Sequence, residues 1–464
     1  MSFLPETLSL QKLAREPYLA LPTAPQCLAT YVWVNASGTS VKSKTQTLPC
    51  EPQSIHDVPL FYGTHWFDEQ THEISLVPLR MFQDPFTLGI NKLILCHALV
   101  LDGSAAPGNR RVVCLEAMEA VEDQKPWFCF KQQYLLQTLE GQPFGWDSAD
   151  SPIKGVSSTV GLNNTFGRQV SLSHCNACLY AGVRITETTA GSIPAQWEFQ
   201  VGPCAGVDLG DQVWMSRYIL HRVCEDFGVV PSFRPKPVEH PIWANGGHMN
   251  FSTESMREEG GLRHIHAAIE RLSQRHPEDM WMYGSEENMQ RLNNVGPNPD
   301  FSTFSWAVSE RKCSVRIPGH VHEAGRGYLE DRRPAADCDP YQSLCSSLFG
   351  PFAPHSSVPL LLTLQSLCSS LFSPFAPHSS VPVLLTLQSL CSSLFSPFAP
   401  HSSVPLLLTL QSLCSSLFGP CAPHSSVPVL LTLQSLCSSL FGPFAPHSSV
   451  PVLLTLQRPS GLRR

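Results

Sequence analysis

Alternating apolar and polar positions predict several β-strands in the first part of the chain. The clearest is WFCFKQQYLL at 127–136, where one side carries phenylalanines and Tyr134, and the other carries Lys131 and Gln133. CLATYVWVN and NKLILCHALVL form similar runs in an earlier β-rich segment, between residues 27 and 100. Turn-forming Gly, Pro, Asp and Asn separate these runs. The segment is therefore predicted to be a small β-rich domain.

Apolar positions at helical spacing predict helices between and after the later strands. QVWMSRYILHRVCEDFG at 212–228 and GGLRHIHAAIERLSQRH at 260–276 are the strongest examples, and a shorter helical pattern lies within residues 1–24. The pair Cys175 and Cys178 is also expected on a helix, in a structural role. Because strands also follow strands directly, the pattern favours an α+β fold.

The pattern changes completely at Gln342. QSLCSSLFGPFAPHSSVPLLLTL recurs there as five nearly identical copies of 23 residues, through residue 456, and a basic end follows at 457–464. Leu361, Leu364 and Cys368 share one face of a predicted short helix in each copy. Each apolar run has about 15 residues, too few to span a bilayer. We therefore predict a poorly ordered, aggregation-prone repeat region and no membrane partner.

Charge and cysteine usage narrow the class of protein. All 38 Asp and Glu residues and 28 of the 31 Lys and Arg residues precede Gln342, so that part has a net charge of −10. An acidic balance argues against a nucleic-acid partner. The 17 cysteines show no disulfide framework, and the first residues lack a signal-peptide pattern. These features favour a cytoplasmic location.

Three stretches identify a family. PAQWEFQVGPC at 194–204, HRVCEDFGV at 221–229 and GYLEDRRPAADCDPY at 327–341 closely resemble eukaryotic glutamine synthetase, and the resemblance extends from about residue 10 to Tyr341. The resemblance implies an N-terminal helical leader (1–24), a small β-grasp domain (25–105) and a larger catalytic α+β domain (106–341). It also implies ring-shaped homo-oligomers with active sites between subunits.

The resemblance further implies a reaction that joins ammonia to glutamate through a γ-glutamyl phosphate, with ATP and Mg²⁺ or Mn²⁺. Carboxylates must hold the ions that neutralise the phosphates. Positions that match the family's functional residues comprise the metal ligands Glu198, His248 and Glu330, the catalytic arginines Arg311, Arg316 and Arg332, and the nucleotide-site residues Trp127, Ser252, Arg257 and Tyr328.

Other family positions are lost. Lys131, Gln133 and Gly191 replace three metal-binding glutamates, Trp243 replaces a glutamate-binding residue, and Pro297 lies where the family has a flap over glutamate. The ammonium-binding stretch is also replaced, by YGTHWFDEQ. A lysine ammonium keeps its charge at neutral pH and so opposes metal binding. Lys131 could instead mimic the missing ion by pairing with Glu198 or Glu330.

Three hypotheses follow. The first is a catalytically silent or strongly impaired family member that is retained as a structural or assembly protein. The second is an active glutamate–ammonia ligase with fewer metal ligands. The third is the product of a decaying gene copy that gives no stable protein.

Overall fold

A computed structural model describes most of the chain before the repeats and parts of the repeats themselves. Its described residues are 16–349, except 68, 147–159, 162–164, 241–242, 294 and 296–297, and the stretches 360–372, 383–395, 406–418, 429–433, 436–441 and 452–456. The chain divides into two compact units, Met1–Ala353 and Pro354–Arg464.

The first sheet of unit one is formed by the predicted β-rich segment. Alternate residues of its first strand, including Ala29, Tyr31 and Trp33, are buried with Ile94 on one face of the sheet, whereas Val32 belongs to the larger core. The strands are β1 (Cys27–Val34), β2 (Val41–Leu48), β3 (Phe61–Phe67), β4 (Gln70–Gln83) and β5 (Lys92–Val100). Strand order is β2-β1-β5-β4-β3, with β5 parallel to β1 and the other pairs antiparallel.

The second sheet is larger and holds the residues of interest. Its order is β11-β12-β13-β10-β6-β8-β7, and β9 pairs with the end of β6. Only β11 and β12 pair in parallel among these described strands. The strands are β6 (Trp127–Gln137), β7 (Ile185–Ala190), β8 (Gln196–Ala205), β9 (Val230–Ser232), β10 (Gly247–Ser252), β11 (Trp306–Val308), β12 (Val315–Ile317) and β13 (Leu329–Asp331).

The predicted strand at 127–136 is confirmed as β6, in the central part of this sheet. Phe128, Phe130 and Tyr134 are buried in the core, and Lys131 and Gln133 point to the other face. The alternation therefore explains why a lysine is tolerated in the strand: its side chain leaves the core.

Ten helices are described in unit one, and the two strongest sequence predictions are confirmed. The buried helix α4 (Asp208–Phe227) is followed by Gly228, whose φ of +68° suits glycine at a helix C-terminus. The amphipathic α6 buries Ile265, Ile269 and Leu272. Cys175 and Cys178 lie on α3, as expected. The helices are α1 (Glu16–Leu19), α2 (Arg111–Glu119), α3 (Arg168–Ala181), α4 (Asp208–Phe227), α5 (Glu254–Arg257), α6 (Leu262–Gln274), α7 (His276–Met282), α8 (Glu287–Arg291), α9 (Gly319–Ala324) and α10 (Pro340–Phe349).

Helix α10 carries the first unit past the domain boundary predicted at residue 341. Tyr341, Leu344 and Cys345 belong to the main core, and the Tyr341 hydroxyl donates a hydrogen bond of 2.7 Å to Asp211 Oδ1. The helix packs on α2, α4 and α7. The first residues of the repeat region are therefore part of the folded body.

The described stretches of the second unit are strands, so the predicted helix in each repeat is wrong there. The described strands pair in parallel with residues 23 positions away, for example Leu361 with Leu384 and Gln365 with Gln388. Identical sequences can pair in identical register along their whole length, which favours extended backbone. The strands are β14 (Leu360–Phe372), β15 (Val383–Phe395), β16 (Leu406–Phe418), β17 (Val429–Leu433), β18 (Leu436–Phe441) and β19 (Val452–Leu456).

The first unit is therefore a mixed fold of helices and two mainly antiparallel sheets, in agreement with the expected α+β class. The division into a β-grasp domain at 25–105 and a catalytic domain at 106–341 stays a prediction, as does poor order in the repeats. In the described part of the chain, no helix combines the length and apolarity needed to cross a membrane.

Candidate active site

Pairing between β6 and β10 sets the two ends of the candidate site. Trp127 pairs with Ser252 at one end of this ladder, and Lys131 pairs with His248 four residues along. Glu330 of β13 joins the same surface opposite Asn250. The ladder therefore brings the predicted nucleotide residues to one end and the predicted metal residues to the other.

Lys131 makes ionic contacts with two carboxylates of neighbouring strands. Its Nζ lies 3.3 Å from Glu187 Oε2 and 3.9 Å from Glu198 Oε1. Register explains this reach, because Lys131 pairs with Gln200, and Gln200 pairs with Glu187 on the next strand. The pairing expected with Glu198 is thus present, and Glu187 is the nearer partner.

Glu198 is held by Gln133 as well as by Lys131. The Gln133 amide nitrogen donates to Glu198 Oε2 at 2.9 Å, and its amide oxygen accepts from the Gly246 N–H at 2.8 Å. Burial raises the pKa of Glu198, although Lys131 and Gln133 act in the opposite direction. Lys131 and Gln133, which replace two family glutamates, therefore both contact Glu198, the glutamate that is retained.

Glu330 pairs with two arginines and not with Lys131. Its Oε2 lies 2.6 Å from Arg316 Nε and 3.3 Å from Arg332 Nη1, and the residue is 2% exposed. Arg332 Nε also donates to the Arg311 carbonyl at 2.9 Å, while the Arg311 residue itself is exposed. Two of the three predicted catalytic arginines are thereby committed to one buried carboxylate.

His248 lies beside this group as a buried imidazole. Its Nδ1 is 4.0 Å from Glu330 Oε1. Burial lowers its pKa well below the ordinary value, and the nearby Arg332, Arg291, Lys131 and Arg316 lower it further. The ring is therefore neutral at physiological pH.

The predicted nucleotide residues cluster at the Trp127 end. The Arg257 guanidinium lies 4.1 Å from the centre of the Trp127 ring and donates to Ser252 Oγ at 3.0 Å. Tyr328 stands two residues before Glu330, and its hydroxyl is 3.4 Å from His320 Nε2. A half-exposed indole with a guanidinium over it is a surface on which a planar base can stack.

A cavity of about 130 Å³ opens beside the other end of the ladder. Trp243 helps to line it, stacks on His240 with ring centres 3.8 Å apart, and meets Trp146 edge to face. The remaining lining residues are Gln133, Ser192, Gln196, Ala244, Gly246, His248, Arg291, Asn298, Pro299 and Arg332. Pro297, predicted at the lost flap, lies outside the described residues.

Gly191 lies where no side chain fits without rearrangement. A Cβ added there would be 2.4 Å from Gln196 Oε1 and 2.6 Å from Gln196 Cγ. Gln196 is itself tied down, since its amide nitrogen donates to the Ala244 carbonyl and to Asn245 Oδ1, each at 2.8 Å. The third lost glutamate position is therefore filled by the neighbouring glutamine.

The donor set does not fit Mg²⁺ or Mn²⁺. Such ions need several free carboxylate oxygens, but the carboxylates of Glu198 and Glu330 already contact basic side chains. In the part of the chain that the structure describes, no group of three or more His, Cys, Asp or Glu side chains is arranged to hold a metal ion.

Two charged residues of the site were missed by the sequence reasoning. Simple alternation along ITETTA would place Glu187 on the side of the buried Ile185, and only the irregular register between these two residues leaves Glu187 exposed, so the pattern contained no signal for it. Arg291 is buried at the end of α8 beside the cavity, and burial and the neighbouring Arg332 lower its pKa to about 9. A short helix with little periodicity gave no indication that this arginine is internal.

Known proteins with similar sequences decide the family. Glutamine synthetase of Xenopus laevis is 45% identical over 341 residues, which cover 72% of this chain and 87% of that protein. The chain belongs to the glutamine synthetase family. The glutamine synthetases of Mus musculus and Homo sapiens are 42% and 41% identical over the same length and are covered to 91%. A scan against protein-family profiles gives no match. The family expected from the sequence motifs is thus confirmed.

Proposed function

We propose that this glutamine synthetase family member is catalytically silent or strongly impaired and acts as a structural or assembly protein. The observation that carries the proposal is the position of Lys131 Nζ, which lies 3.3 Å from Glu187 Oε2 and 3.9 Å from Glu198 Oε1. A fixed ammonium at this point occupies the carboxylates that a metal ion would need.

Electrostatics supports this proposal. A unit positive charge about 4 Å from a divalent cation costs several kcal/mol even at an effective dielectric constant near 20. Gln133 and Gly191 stand where the family has glutamates, so two further carboxylate ligands are missing. Phosphoryl transfer depends on the ions that neutralise the nucleotide phosphates, so we expect the ligase reaction to be lost with them.

The direct test is an assay of glutamine formation from glutamate, ammonium and ATP, with Mg²⁺ and with Mn²⁺ in separate reactions. Xenopus laevis glutamine synthetase, under the same conditions, is the positive control. We expect no glutamate-dependent product above background. Turnover of about 1 s⁻¹ or more, which is ordinary for enzymes, would contradict the proposal.

An active ligase with a reduced metal site is the second candidate. The retention of Glu198, His248 and Glu330 on one surface favours it. A competent site must gain stability from both Mn²⁺ and ATP. An additive increase in the melting temperature with the two ligands, together with product formation, would favour this candidate.

We also propose a cytoplasmic homo-oligomer, on the family relationship. The family ligands ATP and glutamate are the small molecules to test. Light scattering during size-exclusion chromatography measures the mass of the particle in solution. A ring predicts a discrete multiple of the chain mass, whereas a single-chain mass would exclude it.

A further inference from the structure

We propose that Lys131 is a permanently attached cation that replaces a divalent ion, so that this site binds the phosphates of ATP without metal. The inference rests on the proposed function, because it names a ligand that the silent site can still hold. In this view the carboxylates serve to position Lys131 rather than to bind Mg²⁺ or Mn²⁺.

The carboxylates of the site already have basic partners. Glu187 and Glu198 contact Lys131, and Glu330 contacts Arg316 and Arg332. Every one of these three acids has a basic partner inside the protein. A divalent ion would have to displace those partners, whereas a phosphate ligand would not.

The charges in this part of the site do not cancel. Lys131, Arg316 and Arg332 match the three acids in number, and Arg291 adds a further cation beside the cavity. None of the residues that line the cavity is Asp or Glu. The four cations exceed the three acids by one, so this end of the ladder favours an anion.

Lys131 can donate further hydrogen bonds to a ligand. An ammonium has three N–H groups, and within hydrogen-bonding distance Lys131 Nζ has one described carboxylate partner, Glu187. The lysine is 20% exposed. At least one donor is thus available to a phosphate oxygen.

The spacing of Trp127 and Lys131 suits a nucleotide. Trp127 and Lys131 lie on the same face of β6, four residues apart, which is roughly 13 Å along a strand. The indole is 46% exposed and carries Arg257 over its ring. A nucleotide that lies along the strand with its base on Trp127 therefore reaches Lys131 with its phosphates.

The test is calorimetric titration of the full chain with ATP, once in excess EDTA and once in Mg²⁺. We expect dissociation constants that agree within about threefold. Adenosine and inorganic tripolyphosphate, titrated in EDTA, separate the contribution of the base from that of the phosphates. We expect tripolyphosphate to bind and to compete with ATP.

Three variants test the role of Lys131 itself. Lys131→Met should weaken ATP binding in EDTA at least tenfold, Lys131→Arg should retain binding within about threefold, and Lys44→Met, in the first sheet, should leave it unchanged. The arginine variant keeps the test decisive if the methionine variant unfolds. A loss of more than tenfold in Lys131→Arg, or unchanged ATP binding in a folded Lys131→Met, would overturn the assigned role.

The remaining outcomes separate this inference from the proposed function. ATP binding that weakens more than tenfold in EDTA, or no ATP binding at all, overturns the inference. If either result is obtained and glutamine formation is also absent, the proposed function stands and only the inference fails. If metal-dependent binding is accompanied by glutamine formation, both fail.

Discussion

The Ser346 hydroxyl donates a hydrogen bond of 2.6 Å to the Asp279 carboxylate, although Ser346 belongs to the first 23-residue repeat. Asp279 also pairs with Arg333, whose Nη2 lies 3.2 Å from its Oδ2, and both of these side chains are fully buried. The repeat thus supplies one partner of a buried ionic network. Low-dielectric networks of this kind are costly when a partner is missing.

A chain that ends at Tyr341 should therefore unfold, whereas a chain that ends at Ala353 should fold. The shorter chain loses the buried Leu344 and the Ser346 hydrogen bond, which together stabilise the body by several kcal/mol. Circular dichroism and urea unfolding of both truncated chains test this. Equal unfolding midpoints would show that α10 contributes nothing.

A point variant gives the same test without truncation. Leu344→Ala should lower the free energy of unfolding by about 2–4 kcal/mol, the usual range for a buried leucine. The control is Leu139→Ala, because Leu139 is 42% exposed, and it should change the free energy by less than about 0.5 kcal/mol.

The secondary structure of α10 could not have been predicted from its own residues. QSLCSSLF forms helix at 342–349 and strand at 365–372. Identical residues have identical propensities, so contacts outside the segment decide which structure forms. By contrast, the alternation in β6 and the helical period in α6 each reflect burial of one whole face, which the sequence reports directly.

The candidate site, too, could be predicted from the sequence only in part. The motifs around Glu198, His248 and Glu330 indicated that these residues approach one another, but they did not reveal that Glu187 would be the nearer partner of Lys131. Such a pairing depends on the register of three strands. Register follows from the packing of whole strands, which no single motif contains.

The pH dependence of stability should carry a contribution from Asp279. Burial raises its pKa to about 6, against which Arg333 and Ser346 act, whereas an unfolded aspartate has a pKa of about 3.9. Between these values the folded protein binds the proton more tightly. The stability that this group contributes is therefore complete below pH 4 and is lost as the pH rises through 6.

Asp279→Asn should remove this contribution. The free energy of unfolding of the unmodified chain, minus that of the variant, should fall by up to about 3 kcal/mol from pH 4 to pH 7. Asp123→Asn, at an exposed position, is the control and should leave the pH profile unchanged. A difference that does not vary with pH would contradict the assignment.

Trp243 should stabilise the loop that it occupies. It is 8% exposed, stacks on His240 and meets Trp146 edge to face at 5.3 Å. Trp243→Ala should lower the free energy of unfolding by about 3 kcal/mol, measured in urea. Trp281 is 68% exposed, and Trp281→Ala should have little effect; equal losses in the two variants would show that Trp243 has no special packing role.

Restoring two lost carboxylates should give the site a response to metal. In a Lys131→Glu/Gln133→Glu double variant, Glu187 and Glu198 lose their present partners and face two added acids. The like charges should lower the melting temperature in EDTA. Mn²⁺ should reverse this loss, because an ion at 100 times its dissociation constant stabilises the folded state by about 2.7 kcal/mol.

Thermal unfolding with and without Mn²⁺ measures this response, and the unmodified chain and a Lys44→Glu variant serve as controls. Neither control should gain stability from Mn²⁺. The unmodified chain keeps Lys131 in the site, and Lys44→Glu changes a charge in the first sheet, away from the site. Gly191→Glu should not be added to the double variant, because its Cβ would lie 2.4 Å from Gln196 Oε1 and would disturb the hydrogen bonds of Gln196. If the unmodified chain gains as much stability from Mn²⁺ as the double variant, then Lys131 does not oppose the ion, and the charge argument for a silent site is wrong.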